Sequence, residues 1–544
     1  MSIYENSGSP EGSAEKIGNE EISTREEAPL TWKTWMICGF ASFGGIFFGY
    51  DSGYISGVMG MNFFIHEFTG KINNGTDSFV LDSWQKSLIT SILSAGTFFG
   101  SIFAGDLSDF YGRRFTIITG CLVFLVGVVL QTASSTIALL AVGRVIAGFG
   151  IGFVSSVIIL YMSEIAPKKV RGTIVSGYQF CVTIGLLLAS CVDYGTQNYT
   201  NSGSYRIPIA LQMLWAIILS GGLFFLPESP RYFVKKGNFE QAALVLSILR
   251  QQPVESAYVQ EELAEIVNNH EREQALIPTQ TYFQSWGACF TGSLRDQSSN
   301  LRRTILGTSL QMMQQWTGIN FIFYFGTTFF QQLGTIKNEF LISIITTLVN
   351  VCSTPLSFYT IEKMGRRVLM IYGAVGMVIC EFIVAIAGTV DGDNSKTVSA
   401  MIAFICIYIF FFASTWGPGA WVIIGEIFPL PIRSRGVGLS TASNWLWNCI
   451  ISVITPYMVD KDEGNLGAKV FFIWGSLCGS CLVYAIFLIP ETKGLTLEEI
   501  DTMLAETTPL TSSSWKPHAL SDYHDFLEGK GTSNFKENAS AQSV

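Results

Sequence analysis

The sequence predicts an all-α polytopic membrane protein with about twelve transmembrane helices, and three observations support this fold class. Only 14% of the 544 residues are charged and 49% are hydrophobic, whereas about 25% of residues are charged in soluble domains. Apolar runs of about 20 residues, each long enough to cross a hydrocarbon core of about 30 Å, recur along the chain. Motifs of the first half also return in the second, which predicts two parallel six-helix halves.

The apolar runs place the predicted spans near 33–59, 84–107, 115–134, 137–162, 173–194, 207–226, 301–331, 338–360, 367–389, 398–425, 436–458 and 468–489. They group into an N-terminal half at 31–226 and a C-terminal half at 301–494. The polar segment between them, 227–300, is predicted to form cytoplasmic helices. We expect an acidic, disordered tail at 1–30 and a cytoplasmic tail at 495–544.

Basic residues cluster in alternate loops, for example at Arg113, Arg114 and Arg366. By the positive-inside rule these loops and both termini lie in the cytoplasm. The opposite loops contain the sequons at Asn74 and Asn198, which we predict to be glycosylated outside the cell. Eleven cysteines without paired spacing and four histidines outside the spans or at a span edge give no sign of a metal site or cofactor.

Three loop motifs return in the same order about 260 residues later, a length that fits about six spans with their loops. The pairs are Asp109-x-x-Gly112-Arg113-Arg114 with Glu362-x-x-Gly365-Arg366-Arg367, Ser163-Glu164-Ile165-Ala166-Pro167 with Gly425-Glu426-Ile427-Phe428-Pro429, and Pro227-Glu228-Ser229-Pro230-Arg231 with Pro490-Glu491-Thr492-Lys493-Gly494. Solvated loop charges that only determine the membrane topology would explain the basic residues of these motifs, but they would not explain the repeated acidic residues. We therefore expect ion-pair networks at the inner helix ends, formed by Asp109, Arg113, Arg114, Glu164, Arg171, Glu362, Arg366, Arg367, Glu426 and Arg435.

One apolar run contains a cluster of amides. Gln311, Gln314 and Gln315 lie at i, i+3 and i+4 and share one helix face. Asn320 lies roughly 140° around an ideal helix from Gln315, but a helix broken at Thr317-Gly318 turns it inward. Amides offer donors and acceptors without charge, which suits a ligand covered in hydroxyls. The alternative for any single glutamine is polar contact between helices.

Four of the ionisable side chains within the predicted spans call for an explanation. A charge at mid-membrane costs about 2.5–3.5 kcal/mol on insertion scales, so Asp51 in the first span needs a partner or a water-filled cavity. The candidate partner is Arg144 in the fourth span. Asp193, near the outer end of the fifth span, is expected to reach water, and Glu381 in the ninth has no evident function. The first span also carries small residues that allow close helix packing, at Gly45, Gly49, Gly53 and Gly57.

Together the repeated acidic-x-x-Gly-Arg-Arg loops, the PESPR and PETKG motifs and the QQxxGxN stretch resemble the sugar porters of the major facilitator superfamily, over about residues 33–505. Within that family the chain is most similar to fungal hexose transporters. The resemblance implies the major facilitator fold and a plasma-membrane monosaccharide transporter that works by alternating access, not an enzyme. It implies that the cytoplasmic networks latch the outward-open conformation. The implied sugar-binding residues are Gln179, Gln314, Gln315, Asn320, Asn350, Trp421 and Asn444.

Proton-coupled members of the family place an Asp and an Arg at the positions of Asp51 and Arg144, so we predict sugar:proton symport. Yeast facilitators keep the Asp, and a facilitative hexose uniporter is therefore an alternative. A glucose sensor is a second alternative, disfavoured by a C-terminal tail of only about 50 residues. A porter of another polyol or of quinate is a third alternative, because the scaffold motifs do not determine which ligand is bound. The expected partners are a sugar, a proton and the lipid bilayer, and no nucleic acid is expected. A monomer is expected to be sufficient for transport.

Overall fold

The computed structural model describes residues 31–69, 81–276, 282–296, 298–332, 338–392 and 394–516. The predicted tail at 1–30, the sequon at Asn74 and the chain beyond residue 516 lie outside the described residues. Within these ranges the chain is helical and contains no strand, as the all-α prediction requires.

The N-terminal half begins with a span made of two nearly continuous helices. Its helices are α1 (Trp32–Ser42), α2 (Gly44–Gly60), α3 (Asn62–Thr69), α4 (Ser83–Tyr111), α5 (Arg113–Ala133), α6 (Ile137–Ile165), α7 (Arg171–Thr196) and α8 (Gly203–Leu223). A capping box starts α4, in which the Asp82 side chain accepts from the backbone of Gln85 and the Gln85 side chain accepts from the Asp82 N–H.

The glycine stripe of α2 packs against α7, as predicted. A Cβ added at Gly49 would overlap the carbonyl oxygen of Val182, and one added at Gly45 would overlap that of Tyr178. The two backbones therefore approach to a distance that only glycine permits. This close contact holds the first and fifth spans together within the half.

Four short helices form the polar connection between the halves, namely α9 (Pro230–Lys235), α10 (Phe239–Arg250), α11 (Ala257–Leu276) and α12 (Tyr282–Gly287). The Asn238 side chain accepts from the Gln241 N–H at 3.1 Å and caps α10. Gln251 adopts a left-handed conformation at the end of α10, and α11 begins at Ala257.

The C-terminal half repeats this arrangement with more breaks. Its helices are α13 (Asn300–Trp316), α14 (Ile319–Gln332), α15 (Glu339–Ser353), α16 (Leu356–Met364), α17 (Arg366–Asp391), α18 (Ser395–Phe411), α19 (Gly417–Glu426), α20 (Arg433–Val459) and α21 (Val470–Leu488), followed by α22 (Leu497–Glu506). A π-helical turn, Phe412–Trp416, joins α18 to α19.

Eight described helices are long and apolar enough to cross a membrane, or nine if the pair α15 and α16, bent by 41°, is one span. Three further segments lie where the sequence predicts spans: α1 with α2, α13 with α14, and α20. Two of these are interrupted, and α20 carries the polar side chains described below. The twelve predicted spans are thus all present as helical segments, and the polar and broken ones are those that bear the candidate site.

Candidate functional site

The break between α13 and α14 positions the amides. Gly318 has φ +78°, a left-handed conformation that glycine adopts at little cost. The carbonyl oxygen that Thr317 leaves free at the break accepts from the Tyr408 hydroxyl at 2.6 Å. Beyond the break Asn320 turns back, and its Nδ2 donates to Gln315 Oε1. The predicted loosening at Thr317-Gly318 and the inward turn of Asn320 are both confirmed.

Asn444 on α20 is the centre of an amide cluster that consists of Gln311, Gln314, Gln315, Asn320, Asn444 and Asn448. Its Nδ2 donates to Gln311 Oε1 at 2.7 Å and to Gln314 Oε1 at 2.8 Å. Its Oδ1 accepts from Gln315 Nε2 at 2.9 Å. Four amides on two helices are therefore bonded to one another without a charged side chain, and only Gln311 Nε2 among their side-chain atoms is buried without a hydrogen-bond partner in the described structure.

Asn448, which the sequence analysis missed, connects the amide cluster to the other half. Its Nδ2 donates to the Tyr324 hydroxyl at 3.1 Å, and its Oδ1 accepts from Ser94 Oγ on α4 at 2.7 Å. The available signal was its position four residues after Asn444, on the same face of α20. The cluster thus receives a hydroxyl from the N-terminal half.

Gln314 has a different set of contacts from its neighbour Gln315. Its Nε2 donates to the carbonyl oxygens of Trp416 and Gly417, at 3.0 and 2.9 Å, which the π-helical turn leaves accessible. The Trp416 indole donates to the Met370 carbonyl oxygen at 2.8 Å, which identifies this tryptophan as a packing residue. In this conformation Gln314 braces a broken helix, although it was predicted as a sugar ligand.

The remaining predicted ligands lie outside the amide cluster. Gln179 of the N-terminal half has its Nε2 3.3 Å from the position that a Cβ on Gly417 would take. The Trp421 ring stands edge-on to that of Tyr178, with centroids 5.7 Å apart. Asn350 is fully buried, and neither polar atom of its side chain has a hydrogen-bond partner in the described structure. Asn350 thus has free hydrogen-bonding capacity, whereas Gln179 and Trp421 lie beside the break between α18 and α19.

The conformation is closed around the amide cluster. In this conformation the clustered amides bond to one another, and their side chains are not separated by a bound guest. A cavity of about 20 Å³ lies further out, between α2 and α7 of one half and α14 and α15 of the other. Such a volume holds about one water molecule and no sugar.

The predicted ion pair between Asp51 and Arg144 is not formed in this conformation. Arg144 Nη1 donates to the Tyr54 hydroxyl at 2.5 Å, and that hydroxyl donates to Gln131 Oε1 at 2.9 Å. Both Asp51 carboxyl oxygens are buried, without a hydrogen-bond partner among the described residues. Tyr54, one turn after Asp51 on α2, therefore binds the Arg144 guanidinium in place of Asp51. A buried, unpaired carboxyl is tolerated better neutral than charged.

In the N-terminal half the predicted cytoplasmic network is centred on Arg113 and Glu164, which are 1% and 0% exposed. The guanidinium makes two bonds of 2.9 Å to the carboxylate. Glu228, missed by the sequence analysis, accepts from the backbone N–H groups of Arg113 and Arg114 at 3.0 Å, at the start of α5. Burial raises the pKa of the Glu228 carboxyl despite these donors.

The C-terminal half repeats this arrangement, with one bond instead of two between the arginine and the buried glutamate. Arg366 Nη2 donates to Glu426 Oε1 at 3.0 Å, with both side chains 2% exposed. Glu491 accepts from the backbone N–H groups of Arg366 and Arg367 at 2.9 and 3.2 Å, as Glu228 does in the first half. The looser PESPR and PETKG repeat was the signal for this pair of glutamates. Each network fastens helices of one half to one another.

Weaker contacts join the two halves at the cytoplasmic side. Arg435 Nε donates to Asp106 Oδ1 at 2.9 Å, with the side chains 13% and 19% exposed. Further bonds cross between the halves, among them those from Ser434 Oγ to Asp109 Oδ1 at 2.5 Å, from the Thr173 N–H to Glu362 Oε1 at 3.0 Å, and from Arg171 Nη1 to the Leu495 carbonyl oxygen at 3.4 Å. Of the predicted network residues, Arg435, Asp109, Glu362 and Arg171 thus contact the other half, and their role as a latch stays a prediction.

The C-terminal helix α22 is bound to the helical linker. Arg231 Nη2 donates to Glu498 Oε1 at 2.9 Å. Burial opposes the charge of Glu498, but Arg231 and Arg433 outweigh this effect and hold the pKa of its carboxyl below the ordinary value. This ion pair adds a further connection across the cytoplasmic face.

Two other membrane acids are buried. Asp193 is 2% exposed, so the expectation that it reaches water is wrong in this conformation; α2 packs over it through Gly57. Glu381 is also buried, and its carboxyl oxygens have no hydrogen-bond partner in the described structure. Asn198 is exposed in the turn after α7, where a glycan has room, and its glycosylation remains a prediction.

A family model described as "Sugar (and other) transporter" matches residues 37–504. The Aspergillus rugulosus protein named major facilitator-type transporter ecdD is 46% identical over 506 residues, which is 91% of each chain. The probable glucose transporter rco-3 of Neurospora crassa is 41% identical over 86% of this chain and 78% of its own length. These names agree with the prediction that the chain is not an enzyme.

The high glucose sensor RGT2 of Saccharomyces cerevisiae is 40% identical over 88% of this chain, and the match covers 61% of the sensor, less than two thirds of its length. Among solved structures, the proton:xylose symporter XylE of E. coli superposes with a TM-score of 0.73 at 24% identity. That match covers 87% of this chain and 99% of XylE. At this identity the likeness concerns the fold, and it confirms the major facilitator architecture.

Proposed function

Because the chain belongs to the sugar transporter family, we propose that it carries glucose or a related aldohexose across the plasma membrane by alternating access. The observation that supports this most is the amide cluster, with Ser94 reaching it from the other half. Uncharged donors and acceptors at the seam between two bundles match a neutral, hydroxyl-rich ligand.

The bonds within the amide cluster are of the kind that a sugar can replace. Each neutral hydrogen bond contributes a net of about 0.5–1.5 kcal/mol, and exchanging an amide partner for a hydroxyl changes little. A millimolar dissociation constant needs only about 4.1 kcal/mol. Gln315, Asn320 and Asn444, together with the unsatisfied amide of Asn350, supply enough bonds for that affinity and still release the sugar.

Contacts on both sides of the amide cluster fit a state between the two open conformations. At the cytoplasmic side the halves are joined by Arg435 and Asp106. At the other side the Ser83 hydroxyl of α4 donates to Asp460 at 2.7 Å, next to an ion pair from Lys86. Breaking one set while keeping the other opens the site to one side of the membrane.

We also propose that uptake is coupled to protons through Asp51. Its carboxyl is buried without a partner, while Arg144 is held by Tyr54 only 3 residues further along α2. Ionised Asp51 would attract the guanidinium away from the tyrosine, whereas the neutral acid leaves it there. Proton binding and release at Asp51 would therefore change a contact between α2 and α6.

The second candidate is a facilitative hexose uniporter, in which the buried, unpaired Asp51 would stay neutral throughout the transport cycle. Uptake of labelled glucose into deenergised vesicles distinguishes the symporter from the uniporter. An imposed inward proton gradient drives accumulation of labelled glucose in a symporter, and Asp51→Asn abolishes this accumulation while counterflow persists. Equal final concentrations inside and outside, with or without the gradient, would establish the uniporter.

The substrate and the sensing alternative are tested in yeast cells that lack their own hexose carriers. Restored uptake of labelled glucose supports the carrier, and competition by a panel of hexoses, pentoses, polyols and quinate ranks the substrates. A sensor would bind glucose without restoring growth or uptake.

Localisation in the plasma membrane with both termini in the cytoplasm is part of the same proposal. The basic loops around Arg113 and Arg366 and the exposed Asn198 at the opposite ends of the helices support this orientation. If Asn198 carries a glycan, digestion with a glycosidase shifts the electrophoretic mobility of the wild type, and Asn198→Gln removes part of that shift.

A further inference from the structure

A second acid, Asp193, lies buried in the seam between the halves. It is on α7, and its carboxyl packs against Gly57 of α2 so closely that a Cβ at that glycine would overlap Oδ2. The side chain is 2% exposed, and Oδ1 is buried without a hydrogen-bond partner in the described structure. The pair of helices that holds it is fixed by the glycine stripe, so the carboxyl cannot turn away easily.

Asp193 faces the cavity of about 20 Å³ between the halves, whose other walls come from α14 and α15. Its polar lining consists of hydroxyls, and the residues around it include no lysine, arginine or histidine. Ser56 Oγ donates to Thr327 Oγ1 at 3.2 Å, and that hydroxyl is bonded to Ser343 at 3.0 Å. The hydroxyls of the two halves are therefore engaged with each other and do not neutralise the acid.

The titratable groups that face Asp193 from α2 are the phenols of Tyr50 and Tyr54. Neither phenol carries a positive charge. The lining residues from α14 and α15 are apolar or hydroxylic. A carboxylate at this place would thus have no cation beside it and room for about one water molecule, an arrangement that is strongly unfavourable for its charge.

We propose that Asp193 is an external proton-binding site that is filled when the outer side of the seam closes. With the outer side open, water hydrates the carboxylate. Closure removes that water, and the carboxylate takes one proton from the outside to become a neutral carboxyl. Opening restores hydration, and the proton leaves to the same side.

This site differs from the coupling site proposed at Asp51. Asp193 lies near the outer end of α7, so while the outer side is closed its proton has no water-filled route to the cytoplasm. Its occupancy then biases the open-to-closed equilibrium without contributing a transported proton. The proposal rests on alternating access, as part of the proposed function, but not on symport.

A metal cation is a poorer occupant of this cavity than a proton. A hard cation needs six or more oxygen ligands, whereas the described cavity contains one carboxylate and hydroxyls that already bond to one another. Replacing external sodium by choline therefore has no effect if the site binds protons, and a shift on that replacement would overturn the assignment.

The test measures the distance between the outer ends of the halves in the full-length protein, with spin labels at positions 198 and 461 in a background without exposed cysteines. Acidifying from about pH 7.5 to about pH 5.5 raises the closed-to-open ratio of the wild type, by up to about tenfold per pH unit where the proton is taken up. Asp193→Asn is closed at both pH values. Asp391→Asn, which removes an exposed outer acid, keeps the wild-type response.

An equal pH response in Asp193→Asn and the wild type would overturn the proposal, as would a wild type that does not respond. If the variant does not fold, exchange of labelled glucose across wild-type vesicles gives the answer: the rate must depend on external pH in a component that internal pH does not reproduce. Loss of glucose transport with an intact pH response would instead reject the proposed function and leave the Asp193 site standing.

Discussion

Two adjacent glutamines differ in their contacts, and we predict that Gln315 is a sugar ligand and Gln314 a helix brace. The Gln315 side chain bonds to other amide side chains, those of Asn320, Asn444 and Asn448. Gln314 bonds through Nε2 to two backbone carbonyls beside the π-helical turn. We predict that Gln315→Leu weakens glucose binding and that Gln314→Leu weakens the fold.

The expected magnitudes follow from the bonds that each change removes. Two sugar bonds at about 0.5–1.5 kcal/mol each correspond to a loss of about 1–3 kcal/mol in binding, which centres on a tenfold to thirtyfold rise in Kd for Gln315→Leu. Interhelical bonds in membranes average about 0.6 kcal/mol with a maximum of about 1.7. The two carbonyls that Gln314→Leu leaves without donors therefore cost about 1–3 kcal/mol of stability.

The assay combines glucose titration of purified protein, followed by tryptophan fluorescence, with thermal unfolding in the same detergent. Gln315→Leu is expected to raise Kd with a small change in Tm, and Gln314→Leu to lower Tm while the folded fraction binds glucose within about threefold of the wild type. Equal effects of both variants on both quantities would refute the distinction drawn from their contacts. So would an unchanged Kd in Gln315→Leu.

Three other predictions test the scaffold. Gly49→Val prevents α2 from approaching α7 and should abolish folded expression, measured by size-exclusion chromatography, whereas the valine would be tolerated if the helices were not in contact. Gly318→Ala places a side chain at φ +78° and a Cβ 2.7 Å from the Trp474 ring. Because a left-handed alanine costs about 1–2 kcal/mol before any clash, transport should fall at least about tenfold. Unchanged uptake would contradict this. Because Arg231 and Arg433 hold the pKa of Glu498 below its ordinary value, this ion pair stabilises above the unfolded pKa and its contribution disappears as pH falls through the folded value. Glu498→Gln should therefore lower Tm at neutral pH and little at about pH 2, and equal losses at both would be inconsistent with the charge effect.

The positions of the spans were predictable because a membrane span is determined almost entirely by an apolar run that is long enough to cross the hydrocarbon core. The predicted first span at 33–59 is observed as α1 and α2, and the predicted break at Thr317-Gly318 follows from glycine in a helix that carries polar side chains. Repeated acids likewise predicted the buried pair of Arg113 and Glu164, since an acid without a cation is costly at a helix end within a membrane protein.

Individual bonds were less predictable, because several partners lie within reach of each polar group. Arg144 has Tyr54 as well as Asp51 nearby and takes the phenol in this conformation. Asn448 connects the amide cluster to the other half because α20 crosses α4 at Ser94, a contact between segments far apart in the chain. Such choices depend on distances of an ångström or two, which spacing along one helix does not contain.

The uneven burial of the charged contacts has a mechanical consequence for the transport cycle. Salt bridges such as that of Arg366 and Glu426 are dry, and breaking them costs about 3–5 kcal/mol. Contacts across the seam, such as that of Arg435 and Asp106, are wetted, and similar exposed pairs contribute at most about 1 kcal/mol. As far as ion pairs are concerned, separating the two halves along their seam therefore costs less than deforming either half. The proposed alternating access would then move two stiff bodies that are joined at the cytoplasmic side by breakable contacts.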